Sequence, residues 1–79
     1  MSIQEQIFQF LHEKNPRTEL TYDTELFKSG AVNSLFALEI VIFVETTFGI
    51  RLKRKDVKLE NFETINRIAA LVERVQKGK

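Results

Sequence analysis

Apolar residues near the N-terminus recur at helical spacing, and polar residues separate them. They are Ile3, Ile7, Phe10 and Leu11. Ser2 precedes them and Glu5 follows it three residues later, which is the pattern of a capping box at a helix start. Asn15-Pro16 ends the pattern, because the residue before a proline avoids helical backbone angles. A first helix is therefore predicted to run to about Lys14.

The segment from 34 to 48 lacks glycine and proline and is mostly apolar. Asn33 is a favourable N-cap and Gly49 a natural stop, so a helix is predicted between them. One stripe is wide enough to face a core: Ala37, Ile40, Val41, Val44 and Phe48. Two further edges carry the remaining apolar residues: Leu35, Leu38 and Ile42 on one side, Phe36 and Phe43 on another. Either helices pack on two sides, or part of this surface contacts a partner or ligand.

The two connections differ in character. Residues 15–33 show no sustained period, yet their apolar residues predict packing on the core: Leu20, Tyr22, Leu26, Phe27 and Val32. So long a connection in so small a domain indicates a functional segment, with Gly30 in a turn before the next helix. Residues 50–63 predict a connection with one short helical turn at about 57–61.

A last amphipathic helix is predicted after Thr64, which serves as its cap. Its apolar stripe contains Ile65, Ile68, Ala69, Val72 and Val75, with Leu71 beside it. Residues 76–79 are expected to fray. The pattern as a whole predicts one all-α domain over residues 1–79, a small four-helix bundle with three longer helices and a short third one.

Composition excludes most kinds of chemistry within the chain. The 79 residues contain no cysteine and one histidine, His12, which excludes a disulfide framework, thiolate catalysis and a multi-histidine metal site. Glu39 and Glu45 are six residues apart and do not share a helix face, so they do not form an acid–base pair. We therefore expect no catalytic residue and no metal site.

Charge is distributed unevenly along the chain. Residues 1–50 carry three basic and seven acidic side chains, a net charge of −4, whereas residues 51–79 carry nine basic and four acidic side chains, a net charge of +5. The basic run at 51–58 has no interleaved aromatic residue, so nucleic acid binding is not expected. No apolar run is long enough to span a membrane and no signal peptide is evident, which predicts a cytoplasmic protein.

One serine stands at a position with a particular electrostatic property. Ser34 begins the second predicted helix, after the Gly30 turn and the long connection. Unpaired backbone N–H groups and the helix dipole favour an anion there, such as a phosphodiester on the serine oxygen. Alternatively, Ser34 merely helps Asn33 to cap the helix.

Several motifs in order resemble the acyl and peptidyl carrier proteins. They are Leu26-Phe27-x-x-Gly30, Val32-Asn33-Ser34-Leu35, Leu38-Glu39-Ile40-Val41, Val44-Glu45-x-x-Phe48-Gly49-Ile50 and Glu60-Asn61-Phe62-x-Thr64-Ile65. The family usually has a D-S-L motif followed by a helix that ends in E-x-x-F-G-I. The last motif is similar to the entry into the final helix of many carriers from specialised biosynthesis. Weaker similarity extends to the first helix.

The resemblance implies a function and a set of partners. Ser34 would receive 4′-phosphopantetheine from coenzyme A through a phosphopantetheinyl transferase. The thiol of this arm would hold acyl or aminoacyl groups as thioesters, which accounts for a carrier without cysteine. A loading enzyme and downstream synthases or transferases would be the other partners. Tethering would raise the effective concentration of cargo at each of them. A monomer is expected, although the apolar second helix leaves a weak dimer open.

Two departures from the family pattern bear on partner choice. Asn33 stands where the family usually has aspartate, and the 51–58 run is basic where the family often has an acidic turn. Enzymes that dock acidic fatty-acid carriers through basic patches would attract this chain poorly. Dedicated partners in polyketide, nonribosomal peptide or related specialised metabolism are expected, with more apolar contacts or acidic docking surfaces. The predicted partner-binding residues are Asn33, Leu35, Leu38, Glu39, Ile42, Arg51, Lys53, Arg54 and Lys55.

Two other functions remain open from the sequence. One is a carrier-like interaction module in which Ser34 stays unmodified. The other is a phosphate or nucleic acid binder that uses the basic run at 51–58.

Overall fold

Three α-helices form the frame of the molecule. The computed structural model describes residues 1–78, in which α1 spans Ile3–Lys14, α2 spans Ser34–Phe48 and α3 spans Ile65–Lys77. No strand occurs in this part of the chain. The predicted all-helical class and the bounds of the first two helices are therefore confirmed.

The predicted short third helix is present as a 3₁₀ turn, Leu59–Phe62, which begins later than residue 57. Two 3₁₀ turns, Arg54–Asp56 and Leu59–Phe62, occupy the connection between α2 and α3. The backbone at Lys58 is extended, with φ −122° and ψ 147°, and this separates the two turns. The extended Lys58 therefore sets the start of the second turn at Leu59 and not at Val57.

The helix ends are capped as the sequence predicts. The side-chain oxygens of Ser2, Asn33 and Thr64 each accept a hydrogen bond from the backbone N–H three residues further along, at 3.0, 2.8 and 3.0 Å. Gly49 ends α2 in the left-handed conformation, with φ 62°. This conformation favours glycine because it has no Cβ.

The C-terminal helix continues further than expected. We predicted fraying from residue 76, but α3 includes Gln76 and Lys77, and the N–H of Gly78 donates to the carbonyl of Arg74 at 3.0 Å. Arg74 and Lys77 place positive charge at the last carbonyls, where the helix dipole favours it. Lys79, the end of the predicted fraying segment, lies outside the described residues.

One apolar core joins all three helices and both connections. Its buried members are Ile7, Leu11, Leu20, Leu26, Ala31, Val32, Phe36, Ile40, Val44, Ile50, Phe62, Ile65, Ile68, Ala69, Leu71 and Val72. Val75 packs at its edge, partly buried. The predicted stripe of α3 faces this core. No polar side chain is buried in the described part of the chain.

The buried stripe of α2 is rotated from its predicted position. Ile40 and Val44 are buried as expected, but Phe36, predicted on a separate edge, joins them. Its ring lies 5.8 Å from that of Phe10 in α1, so the packing of α1 decides which edge is covered. The other predicted core residues of α2 are only partly buried: Ala37, Val41 and Phe48.

The connection at residues 15–33 packs on the core without regular structure. Leu26 is completely buried, and its N–H donates to the carbonyl of Glu63 at 2.8 Å. Leu20 and Val32 are buried and Phe27 is partly buried, as predicted. The prediction for Tyr22 was wrong in degree, since its side chain is 37% exposed. Its ring instead lies edge-on to Phe8 on the surface, 6.3 Å away.

Two isoleucines on α2 provide a matched test of this packing. Ile40 is fully buried and Ile42 is 63% exposed, so their truncation to valine removes the same atoms from opposite environments. Ile40→Val is expected to lower the free energy of unfolding by about 1 kcal/mol. Ile42→Val is expected to change it by less than about 0.5 kcal/mol. Urea denaturation measures both, and equal losses would contradict the burial described here.

Candidate functional site

Ser34 is presented on the surface by the turn that precedes α2. Gly30 adopts φ 85°, and its N–H donates to the carbonyl of Phe27 at 3.3 Å. The N–H of Val32 donates to the carbonyl of Leu26 at 3.0 Å, which closes the turn. The chain then passes through the extended cap Asn33, and Ser34 follows as the first residue of α2, exposed to solvent.

The three serines of the chain differ in what their hydroxyl groups do. Ser2 accepts a hydrogen bond from the N–H of Glu5. The hydroxyl of Ser29 donates to the carbonyl of Leu26 and accepts from the N–H of Ala31, at 3.1 and 3.3 Å. Within residues 1–78 the hydroxyl of Ser34 has no such partner. Ser34 is therefore the serine whose oxygen is available for covalent modification without loss of an internal hydrogen bond.

The first turn of α2 favours negative charge near that oxygen. The carboxamide oxygen of Asn33 accepts from the N–H of Phe36, and the Asn33 carbonyl accepts from the N–H of Ala37. The N–H groups of Ser34 and Leu35 have no acceptor in the described part of the chain. Unpaired N–H groups at a helix N-terminus attract anions. The cap itself is neutral, so no carboxylate opposes a phosphodiester there.

An apolar cavity of about 210 Å³ opens beside Ser34. It lies between the first half of α2 and the connection to α3. Its lining residues are Phe27, Ser34, Ala37, Leu38, Val41, Val57, Lys58, Leu59 and Phe62. Ala37 and Val41, which were predicted to face the core, pack against its edge and also line this cavity.

Exposed apolar side chains continue from Ser34 along α2. Leu35 is 74% exposed, Leu38 58% and Ile42 63%, as the sequence predicted for this edge of α2. Leu59 and Val57, from the connection across the cavity, are also exposed. Exposed apolar side chains grouped on one part of a surface are typical of interaction sites. Of the other predicted partner-binding residues, the cap Asn33 and Glu39 of α2 are also exposed.

The basic residues predicted to bind partners lie elsewhere. Arg51, Lys53 and Lys55 line a different cavity, of about 520 Å³, together with Arg74 of α3. Arg54 is exposed in the 3₁₀ turn Arg54–Asp56, which also contains Lys55. Because α2 rises about 1.5 Å per residue, its two ends are about 21 Å apart. The structure therefore places Asn33, Leu35 and Leu38 close to Ser34 and the last four predicted residues at the other end of α2. Glu39 and Ile42 lie between them, at a separate cavity that they line with Phe10 and Phe43.

Glu45 and His12, which the sequence did not favour as catalytic residues, make contacts that hold the fold. A carboxylate oxygen of Glu45 accepts a hydrogen bond from the N–H of Leu52 at 2.9 Å, which ties the connection to α2. His12 stacks on Phe8, with ring centroids 5.6 Å apart. Among residues 1–78 no group of three or more His, Asp or Glu side chains is placed to hold a metal ion. None of the helices found there has the length and apolar content of a membrane span.

Sequence reasoning did not single out the far wall of the cavity beside Ser34. This wall carries Val57, Lys58 and Leu59, which the sequence placed in a basic connection. The only signal in the sequence was that two apolar residues, Val57 and Leu59, stand at the edge of a run of cations. Their position opposite α2 depends on how the 3₁₀ turn Leu59–Phe62 packs, and no local pattern indicates that packing.

A helical bundle with an exposed serine at the start of its second helix has the architecture of a carrier protein. The D-alanyl carrier protein of Lactococcus lactis subsp. lactis (strain IL1403) is 30% identical over 73 residues, which cover 90% of this chain and 92% of the relative. Those of L. lactis subsp. cremoris strains MG1363 and SK11 match to the same extent. No family model matches the chain. The chain belongs to the family of carrier proteins that includes these relatives.

The cap of α2 can be tested by two substitutions at one position. Asn33→Ala removes the acceptor of the Phe36 N–H and is expected to lower the free energy of unfolding by about 1 kcal/mol. Asn33→Asp keeps the acceptor and adds negative charge at the helix N-terminus, so it is expected to leave stability equal or higher by up to about 1 kcal/mol. Urea denaturation compares the three proteins. A loss in Asn33→Asp as large as in Asn33→Ala would contradict the role of the cap.

Proposed function

We propose that this carrier protein is modified on Ser34 with 4′-phosphopantetheine and delivers an acyl or aminoacyl group to partner enzymes in the cytoplasm. The observation that carries the proposal is the state of the Ser34 hydroxyl. It is exposed and has no internal hydrogen bond within residues 1–78, unlike those of Ser2 and Ser29. The membership of the chain in a carrier family supports the same role.

The residues around Ser34 fit a phosphopantetheine arm. The first turn of α2 offers the unpaired N–H groups of Ser34 and Leu35 to a phosphodiester, and the neutral Asn33 adds no repulsion. Lys58 lines the adjacent cavity and contributes a positive charge on the same side of the molecule. When bound, the arm supplies a terminal thiol that holds the cargo as a thioester. The protein itself presents the serine on an open surface, where partner enzymes can reach it.

The apolar surface beside Ser34 is the surface we assign to partner enzymes. Leu35, Leu38 and Ile42 are exposed on α2, and Asn33 and Glu39 lie among them. A transferase or a loading enzyme must approach the modified serine, so its contact area includes this surface. The expectation that the chain has no catalytic residue fits such a role, because the chemistry would then belong to the partner.

The relatives support an aminoacyl cargo. They are named D-alanyl carrier proteins, and the similarity covers nearly the whole of both chains. We therefore propose a small aminoacyl group, with D-alanine as the first candidate. A polyketide or nonribosomal peptide setting stays a prediction from the motif resemblance, and it implies other loading enzymes.

Modification of Ser34 is tested by intact mass after incubation with coenzyme A and a broad-specificity phosphopantetheinyl transferase. The wild-type chain is expected to gain one phosphopantetheine, since the hydroxyl of Ser34 is exposed. Ser34→Ala is expected to gain none. Ser29→Ala is the matched control, because it removes the nearest other serine and is expected to gain one group like the wild type.

Two outcomes would contradict this assignment. A gain that persists in Ser34→Ala would place the modification elsewhere. The absence of any gain in folded wild-type protein and in Asn33→Asp would favour the unmodified interaction module. Circular dichroism establishes that each variant is folded.

The proposed partner surface predicts a kinetic effect of truncation at Leu38. This side chain is 58% exposed, so Leu38→Ala should change stability little. The loss of its contact with the transferase is expected to lower kcat/KM for modification by about five- to tenfold. Gln9→Ala, an exposed position on α1, is the control and should leave kcat/KM unchanged. Equal rates for all three proteins would exclude Leu38 from the contact.

The cargo is tested on the phosphopantetheinylated chain. Incubation with ATP, D-alanine and an adenylating enzyme that serves a D-alanyl carrier protein should add the mass of one D-alanyl group. L-alanine in the same mixture is the control for stereochemistry. Loading from an acyl-coenzyme A by an acyltransferase, with none from D-alanine, would instead support an acyl pathway of specialised metabolism.

A further inference from the structure

A basic cleft lies at the end of α2 that is remote from Ser34. Its lining contains the four cations Arg51, Lys53, Lys55 and Arg74, together with Asp56, Val75 and Gly78, and its volume is about 520 Å³. This volume is in the range of small-ligand and peptide sites. The cavity beside Ser34 shares no residue with this cleft. The cleft is therefore separate from the site of the proposed modification.

The cations of the cleft are not neutralised by the acidic residues near them. Within residues 1–78 the only ion pair joins Lys28 and Glu25, at 3.5 Å, and neither residue lines the cleft. A carboxylate oxygen of Asp56 accepts from the backbone N–H of Lys53 at 2.9 Å. Glu45 likewise accepts from the N–H of Leu52. The carboxylates thus hold the backbone of the connection and leave its positive side chains unpaired.

Hydrogen bonds also fix the wall of the cleft that α3 provides. A guanidinium nitrogen of Arg74 donates to the side-chain oxygen of Asn61 at 3.2 Å. The side-chain nitrogen of Asn61 donates to the carbonyl of Asp56 at 2.8 Å. Arg74 is thereby joined to the 3₁₀ turn that carries Lys55. Arg74, held in this way, loses less side-chain entropy on binding an anion than a free surface lysine does.

The shape and composition of the cleft favour one kind of anion. It is concave and has no aromatic lining, which provides no platform for stacked bases and no group for insertion into a lipid surface. An extended acidic peptide fits a concave site, and arginines can hold its carboxylates in pairs of hydrogen bonds. Val75 and the aliphatic stems of the cations offer contact to its apolar atoms.

We propose that this basic cleft binds a flexible acidic segment of a partner protein. The segment would hold the carrier at a surface that leaves Ser34 and its apolar surroundings accessible. A tethered carrier meets the active sites of its partner at a raised effective concentration. The inference rests on the proposed function only in assigning the segment to a partner of the carrier.

The test uses the full unmodified chain and a fluorescent peptide of eight consecutive glutamates at low ionic strength. Binding is followed by fluorescence anisotropy. Arg51→Gln with Lys55→Gln is expected to weaken binding by about five- to tenfold, as the loss of two charge contacts at the surface predicts. The matched control, Arg17→Gln with Arg67→Gln, removes the same charge from exposed positions outside the cleft. It is expected to change the affinity by less than about twofold.

Three outcomes would overturn the proposal. Absence of binding to the wild type is one, and equal weakening in both double variants is another, because net charge alone would then explain the affinity. The third is displacement of the peptide by inorganic polyphosphate at much lower concentration, with the same dependence on Arg51 and Lys55, which would indicate a phosphate site.

The two proposals can fail separately. Peptide binding is measured without phosphopantetheine, and modification is measured without the peptide. If the chain binds the peptide but gains no phosphopantetheine, the proposal for the cleft stands and the proposed function fails. If the chain gains phosphopantetheine but does not bind the peptide, the proposed function stands and the proposal for the cleft fails.

Discussion

The position of Ser34 depends on how the irregular connection at residues 15–33 is attached to the helices. Leu26 is the centre of this attachment, with a fully buried side chain and an N–H bonded to the carbonyl of Glu63. Burial of a leucine side chain stabilises by about 2 kcal/mol, and such a contribution is large in a domain of this size. The Asn15 side chain adds a bond from the end of α1 to the carbonyl of Ala31, at 3.1 Å. Together these contacts fix both ends of the connection, so the turn at Gly30 delivers α2 at a defined place.

The apolar residues of α2 serve two purposes, and the packing of the other helices separates them. Phe36, Ile40 and Val44 are covered by the core, whereas Leu35, Leu38 and Ile42 face solvent beside Ser34. A helix that needed only to fold would carry polar residues on that second side. The exposed set supports the partner surface proposed above, since it begins beside the one serine without an internal hydrogen bond within residues 1–78.

The sequence predicts what depends on neighbours along the chain. The helix bounds follow from caps at Ser2, Asn33 and Thr64, each of which satisfies a backbone N–H three residues away. Features that depend on tertiary contacts were predicted less well. The ring of Phe10 covers Phe36, which turns the buried stripe of α2 and leaves Ala37 and Val41 beside the cavity. The extended backbone of Lys58 similarly delays the start of the short third helix to Leu59, and no periodicity indicates that boundary.

The fold separates the basic residues at 51–55 from the surroundings of Ser34. The cations of 51–55 lie beyond the C-terminal end of α2, about 21 Å from Ser34 along the helix. At physiological ionic strength charges are screened over about 8 Å, so the basic cleft acts little on the region of Ser34. The two ends of α2 can therefore meet different surfaces, an apolar one at the serine and an acidic one at the cleft. A carrier built in this way can be retained by one contact while the other is exchanged between enzymes.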